Sequence, residues 1–269
     1  MKQSYGLIGE KLGHSISPLI HQLIFEYCNL DGDYQLYELN RHQIGEFVKN
    51  TKLKGFNITI PYKIEITQYL DFIAEEAKAI GAVNTVNIVD NVFYGYNTDY
   101  YGIDMTFKRH NINLKDASAI ILGSGGASAA VFQYLKDSGC TDITIVVRDK
   151  SKVVNSMYKN LNLLTYNQLS AVEKKDLLIN CTPAGMSPNI DQSPVSCDFV
   201  KGFSFIFDLI YNPMKTKLLS FAEQCGIKHC NGLLMLIGQA VHAQAIWNNI
   251  LVSDDLLEKL YNELSKRGI

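Results

Sequence analysis

Four apolar residues, Ala119, Ile120, Ile121 and Leu122, pass directly into Gly123-Ser124-Gly125-Gly126-Ala127, and a helical pattern follows to about residue 138. Residues 141–147 then read as another strand, so the stretch 119–147 has the length of one βαβ unit. The glycines of such a junction let a backbone approach a pyrophosphate. The helix start behind them offers free N–H groups and a favourable dipole. The plain alternative is a glycine turn that merely joins strand to helix. The position inside a βαβ unit weighs against it.

Short apolar runs alternate with helical patterns along the rest of the chain, which predicts an α/β fold with parallel strands. Residues 5–8, 34–39 and 55–58 read as strands, and 18–27 as a helix opened by Ser17-Pro18. Residues 83–89 and 92–96 flank Asp90-Asn91 and predict a hairpin. Further strands are expected at 176–180 and 205–209, then helices at 233–247 and 254–266. This order predicts an N-terminal α/β domain over 1–101, a Rossmann-type dinucleotide-binding domain over 102–232, and C-terminal helices over 233–269.

With 269 residues the chain exceeds a typical single domain, and 47% hydrophobic against 19% charged residues is ordinary globular composition. A formal charge of −2 gives no electrostatic reason to expect nucleic acid or an anionic membrane as partner. No apolar run is long enough to span a bilayer, and residues 1–6 lack the apolar stretch of a signal peptide, so a cytoplasmic protein is expected. The six cysteines form neither a CxxC pair nor a Cys/His cluster with zinc spacing; the expectation is no metal and buried free thiols in a reducing compartment.

The end of the second strand of the βαβ unit bears on which dinucleotide binds. It reads Val146-Val147-Arg148-Asp149-Lys150, with Lys152 close by. Arg148 with Lys150 or Lys152 suits a 2′-phosphate, whereas the Asp149 carboxylate would repel one. NADP is favoured and NAD stays possible.

Four polar motifs stand out in the first third: Gly13-His14-Ser15-Ile16-Ser17-Pro18, Asn57-Ile58-Thr59-Ile60-Pro61-Tyr62-Lys63, Gly81-Ala82-Val83-Asn84-Thr85 and Asn97-Thr98-Asp99. Strand ends of an open α/β sheet are where ligands bind. Singly, each has an ordinary reading: Ser17 as a helix cap, Asn84 and Asn97 as turn closers, Lys63 as a solvated lysine, Asp99 as a cap of the next helix.

Taken together with the glycine turn, with Asn180-Cys181-Thr182-Pro183-Ala184-Gly185-Met186 and with residues 231–240, these motifs make the chain resemble the shikimate dehydrogenase family from end to end. The resemblance implies reversible reduction of 3-dehydroshikimate to shikimate with NADPH, in chorismate and aromatic amino-acid biosynthesis. Lys63 and Asp99 match the catalytic pair. Ser15, Ser17 and Thr59 match positions near the substrate carboxylate, with Tyr211 added, and Lys63, Asn84, Asp99 and Gln239 match the groups that hold ring hydroxyls. Gly123, Ser124, Gly125, Gly126 and Ala127 match the phosphate turn, and Arg148, Lys152, Leu209 and Gly232 complete the cofactor set. The resemblance also implies that the C-terminal helices return to the substrate domain, and that the protein is a monomer or homodimer. Two departures are visible: only Arg148 survives of a motif that usually reads Asn-Arg-Thr, and Asn231 replaces a common aspartate.

Reducing a ketone requires hydride at carbon and a proton at oxygen. A lysine beside the oxygen stabilises developing negative charge and can transfer a proton. Its ordinary pKa of about 10.4 is lowered by burial and raised by a nearby aspartate, two effects in opposition. Three rivals remain open: a quinate/shikimate dehydrogenase using NAD as readily as NADP, a non-catalytic ligand sensor on the same fold, and a folate-linked dehydrogenase of similar architecture.

Overall fold

A computed structural model describes residues 2–153, 158, 161, 163–172 and 175–268. The chain divides into two compact units, Met1–Gly102 with Leu236–Glu263, and Ile103–Met235 with Leu264–Ile269.

The first unit contains β1 (Gln3–Gly9), α1 (Ser17–Tyr27), β2 (Gly32–Glu38), α2 (Ile44–Asn50), β3 (Gly55–Ile58), β4 (Phe72–Ile73), α3 (Glu75–Ile80), β5 (Thr85–Val89) and β6 (Val92–Tyr96), after which α4 (Asp99–Arg109) begins. Its strands lie in the order β2-β1-β3-β5-β6-β4. β1 is parallel to β2 and β3, but β5 is antiparallel to β3 and β6. The expectation of parallel strands therefore fails on this side of the sheet. At the β5–β6 link the cause is local: Asp90 and Asn91 both take positive φ, 52° and 61°, forming a two-residue turn that can only send the chain straight back.

Pro18 sits in the first turn of α1, where its missing N–H leaves no bond unmade, and Ile20, Leu23 and Ile24 follow at helical spacing on the buried face. Ile8, Ile44, Phe56, Ile58, Ile66 and Val86 form the main core of this unit. A second cluster joins Tyr5 and Phe25 to Ala243 and Trp247. Trp247 stacks on Tyr5 with centroids 4.7 Å apart and donates its indole N–H to the Val86 carbonyl at 2.9 Å. It lies directly over Gly55, where an added Cβ would stand 2.2 Å from the indole nitrogen.

The second unit contains β7 (Ser118–Leu122), α5 (Gly126–Asp137), β8 (Asp142–Val147), β9 (Leu163–Thr165), β10 (Leu177–Asn180), α6 (Cys197–Val200), β11 (Phe205–Asp208), α7 (Lys217–Gln224) and β12 (Lys228–Cys230). All pairings in its sheet, order β12-β11-β10-β7-β8-β9, are parallel. Residues 119–122 and all of β10 are buried, as strands covered on both faces require. The strand order reverses between β7 and β10, so the turn after β7 lies at the switch point of the sheet. The chain ends with α8 (Leu233–Asn248) and α9 (Asp254–Lys266).

All six cysteines are free; Cys140 is a buried residue and the other five are partly exposed, so the expectation of buried thiols holds in part. Cys28 and Cys225 occupy helix C-caps and Cys197 a helix start. Burial still raises the Cys140 thiol to about 11 and those of Cys181 and Cys230 further, so these three stay protonated at neutral pH.

Candidate active site

Lys63 lies in the loop that follows β3. Tyr62 anchors that loop: its ring is buried and its hydroxyl donates to the Leu39 carbonyl at 2.6 Å. The Val83 N–H donates to the Lys63 carbonyl at 2.8 Å, so the backbone is held on both sides. The Lys63 ammonium then stands 2.5 Å from Oδ2 of Asp99, the first residue of α4, and the two side chains are only 16% and 9% exposed. The solvated-lysine reading is thereby replaced.

The other Asp99 oxygen, Oδ1, accepts from Asn84 Nδ2 at 2.8 Å. The two ends of an amide have the same shape, so their hydrogen-bond partners decide which way it points. Asn84 Oδ1 accepts from the Thr98 N–H at 2.7 Å and from the Thr85 hydroxyl at 3.0 Å, which turns its NH₂ toward Asp99. Both Asp99 oxygens are thus engaged by side chains, Lys63 at one and Asn84 at the other. One lysine proton is used by Asp99; an ammonium has three.

Ser15 and Ser17 come together, hydroxyl to hydroxyl at 3.1 Å, with the Ser17 N–H donating to Ser15 Oγ at 3.3 Å. Ser17 is the first residue of α1, not its cap, and makes no capping bond. Thr59 follows β3 directly, its N–H bound to the Ile8 carbonyl at 2.9 Å. Gln239, on α8, donates its Nε2 to the Leu236 carbonyl at 2.9 Å and makes no described hydrogen bond to Lys63, Asn84 or Asp99. Asn97 does fasten the hairpin flank, through Nδ2 to the Ala82 carbonyl at 2.9 Å. Tyr211 belongs to the second unit, where burial raises its phenol above the usual value.

In the second unit Gly123 has φ +103°, and an added Cβ would meet the Cys181 carbonyl oxygen at 3.2 Å. Gly125 differs. Its φ of −80° suits any residue and nothing lies within 4 Å of an added Cβ. No packing among the described residues demands glycine there, and its absent side chain leaves open the space over the first turn of α5, which carries no acidic residue. That turn fits a pyrophosphate. Gly232 has no such freedom: an added Cβ would lie 1.9 Å from the Leu209 carbonyl oxygen. Asn231 accepts the Leu233 N–H through Oδ1 at 3.1 Å, as an aspartate there would, so the substitution keeps the capping acceptor of α8.

Arg148 is exposed and has no described carboxylate partner; its charge acts on the Tyr166 phenol. Asp149 caps the short turn Lys150–Lys152, accepting from the Ser151 N–H at 3.0 Å and hydroxyl at 2.7 Å, bonds that hold its carboxyl below the usual range. The Lys152 side chain lies outside the described residues.

Some polar groups around the site escaped sequence reasoning. Asn57, Thr85 and Thr98 belong to motifs read from the sequence, yet their contacts with Asn84 were not foreseen. Tyr34 and His21 carried no motif signal beyond a strand and a helix position. Asp208, at the end of β11, is buried with Thr216, Asn180 and the Ile210 N–H around it, and burial lifts its carboxyl to about 6. Its one sequence signal was a charge ending an apolar run. Among the described residues no group of three or more His, Cys, Asp and Glu is placed to hold a metal, and no helix is long and apolar enough to cross a membrane.

A glycine turn with room for a phosphate at the switch point of one sheet, and a largely buried lysine–carboxylate pair at a strand end of another, are the equipment expected of a nicotinamide-dependent oxidoreductase. Family models agree: that of the shikimate dehydrogenase substrate binding domain matches residues 7–86, and that of shikimate/quinate 5-dehydrogenase matches residues 105–209. A shikimate dehydrogenase (NADP(+)) of Clostridium perfringens is 44% identical over 98% of both chains. Among solved structures, shikimate dehydrogenase 1 of Peptoclostridium difficile superposes with a TM-score of 0.91 at 41% identity, covering 99% of both chains. Shikimate 5-dehydrogenase of Thermus thermophilus, in complex with NADP(H) and shikimate, gives 0.85 at 28% identity over 99% of this chain and 100% of that one. The chain belongs to the shikimate dehydrogenase family.

Proposed function

We propose that the protein catalyses the reversible, NADPH-dependent reduction of 3-dehydroshikimate to shikimate in aromatic amino-acid biosynthesis. The observation that carries this reading is the Asn84–Asp99–Lys63 cluster. It presents a fixed carboxylate and an ammonium with protons to spare, the groups needed to hold ring hydroxyls and protonate a ketone oxygen. The dinucleotide, when bound, supplies the hydride. Lys63 stabilises the developing alkoxide and delivers its proton; Asp99 holds Lys63 and accepts from a substrate hydroxyl. Ser15, Ser17 and Thr59 bind the substrate carboxylate, with Tyr211 as a further contact, and Asn84 and Gln239 take ring hydroxyls.

The turn Gly123–Ala127 holds the pyrophosphate, with Leu209 and Gly232 against the remainder of the cofactor. Arg148 binds the 2′-phosphate, aided by Lys152. In its capping role Asp149 accepts both described hydrogen bonds from Ser151, which supports NADP over NAD without removing the negative charge. On this reading residues 1–101 form the substrate domain, 102–232 the cofactor domain, and 233–269 helices that serve the first. The protein acts in the cytoplasm as a monomer or homodimer.

Absorbance at the nicotinamide band, crossing shikimate and quinate with NADP and NAD, tests the proposal. Shikimate with NADP should give the highest kcat/KM. Comparable rates with quinate or NAD would shift the assignment to a dual-specificity enzyme, and dinucleotide binding without turnover to a sensor.

A further inference from the structure

Asp99 is positioned by Asn84, and Asn84 by donors that must themselves be oriented. Thr85 supplies one of them. Its hydroxyl accepts from Asn57 Nδ2 at 2.9 Å and lies 3.0 Å from both Asn84 Oδ1 and the Thr98 hydroxyl, which itself reaches Asn84 Oδ1 at 3.2 Å. Asn57 Nδ2 also donates to the Asn84 carbonyl at 3.2 Å. Asn57 is itself an amide inside an otherwise apolar strand, and either of its orientations fills the same space. The Asn84 carbonyl, which can only accept, turns the NH₂ toward Thr85, and the Tyr34 hydroxyl holds the other end of the amide by donating to Asn57 Oδ1 at 2.7 Å.

Tyr34 comes from β2, the edge strand of the sheet, and is kept in place by a residue the proposed reaction does not use. The imidazole of His21 lies flat on its ring, with centroids 3.9 Å apart and planes at 7°. His21 is fully buried on α1. Its Nδ1 pairs with Gln244 Nε2 at 2.8 Å; a glutamine NH₂ only donates, so Nδ1 accepts and the proton of the neutral ring is on Nε2. Gln244 Oε1 accepts from Asn248 Nδ2 at 2.7 Å, and the Tyr5 hydroxyl lies 2.8 Å from Asn248 Oδ1 and 2.7 Å from Gln3 Oε1. Two hydrogen-bonded segments, joined by the stack of His21 on Tyr34, thus link α8 and α1 to β2, β3, β5 and the carboxylate that faces Lys63.

We propose that Tyr34, seated on His21, is a positioning residue that acts through Asn57 and Thr85 to hold Asn84, which the Thr98 N–H orients, and hence to fix the geometry of the Lys63–Asp99 pair. The chemistry assigned to that pair rests on the function proposed above; the contacts from Tyr34 to Asn84 do not. The members differ in what they contribute. Tyr34 holds the Asn57 amide at its oxygen end, and Thr85 links that amide to Asn84. In a site with this arrangement the groups are oriented before substrate arrives. Loss of the Tyr34 hydroxyl should disturb turnover more than binding.

The test is Tyr34→Phe, which keeps the ring and its stacking, measured singly and combined with Thr85→Val. We expect Tyr34→Phe to lower kcat roughly five- to fiftyfold while KM for shikimate changes less than about twofold. In the Thr85→Val background the same substitution should lower kcat by less than about twofold more, because the relay is already cut. A Tyr34→Phe enzyme with wild-type kcat, or effects of the two substitutions that multiply in full, would overturn the proposal even if both variants melt at a lower temperature. A wild-type protein that turns over neither shikimate nor quinate would sink the functional reading alone. The chain is then read by NMR: the Asn84 side-chain NH₂ resonances, assigned by their loss in Asn84→Ala, should shift and broaden in Tyr34→Phe, and unchanged resonances would refute it.

Discussion

Lys63 and Asp99, 36 residues apart in the chain, meet at 2.5 Å between a loop ordered by Tyr62 and the first turn of a helix. Neither element alone explains the contact. The loop is tied down through the Lys63 carbonyl, and the carboxylate is tied down through Asn84. Lys63→Ala should lower kcat by ~10²–10⁴-fold, the usual worth of general acid–base assistance, with a smaller change in KM. Steady-state kinetics with shikimate and NADP checks this; a near-normal kcat would remove Lys63 from the mechanism. Asp99→Asn should also lower kcat strongly, because it leaves a largely buried ammonium without its countercharge.

The serine pair predicts a different kinetic signature. Ser15 and Ser17 hydrogen-bond to each other and, among the described residues, to no charged side chain, so they are available to a carboxylate. Ser17→Ala should raise KM for shikimate by roughly 5–20-fold, the loss of one charge-assisted hydrogen bond, and leave kcat within about threefold. An unchanged KM would contradict the carboxylate assignment.

The glycines of the second unit separate folding from binding. Gly125→Val should fold normally, since nothing lies within 4 Å of the new Cβ, yet it should weaken NADPH binding at least ~10-fold by occupying the space over α5. Gly232→Ala should behave in the opposite way. Its Cβ would fall 1.9 Å from the Leu209 carbonyl oxygen, a contact only backbone movement can relieve, so the melting temperature should drop. Thermal melts alongside fluorescence titration with NADPH distinguish the two. Normal cofactor affinity in Gly125→Val would place the pyrophosphate elsewhere.

How far the sequence reached depends on how local each signal is. The strand, glycine turn and helix over 119–137 are legible because a buried parallel strand is a continuous apolar run and the turn chemistry is fixed by the backbone. The hairpin was legible from Asp90-Asn91. β9 and β12, three residues each, are too short to show a period, and the antiparallel pairing of β5 on β3 is one no local pattern encodes. Lys63, Asn84 and Asp99 could be named from motifs. Their mutual geometry could not, nor could Tyr34 or His21 be tied to the site, because an edge-strand tyrosine and an inward histidine look the same in sequence whether or not they orient an amide.

His21 also predicts how stability depends on pH. Burial lowers its pKa from 6.5 to about 3, with Asn57 pulling weakly the other way. Between these values the unfolded chain binds a proton that the folded chain refuses, so stability rises with pH in this window and is lost as pH falls below about 6.5. The slope is about 1.4 kcal/mol per pH unit at most, or about 2 kcal/mol between pH 6.5 and 5. Asp208 acts with the opposite sign: raised from 3.8 to about 6, it keeps its proton in the folded state where the unfolded chain has released it, so its contribution falls as pH climbs toward 6. The two belong to different units, and single substitutions separate them. His21→Gln, which can still accept from Gln244, should lose stability relative to wild type at pH 7.5 and regain most of the deficit by pH 5. Asp208→Asn should do the reverse, with its relative stability improving as pH rises from 4 to 6. Urea denaturation of the three proteins across this range measures both differences. A His21→Gln deficit that stays constant from pH 7.5 to 5 would show that the imidazole titrates in the folded protein as it does in the unfolded one.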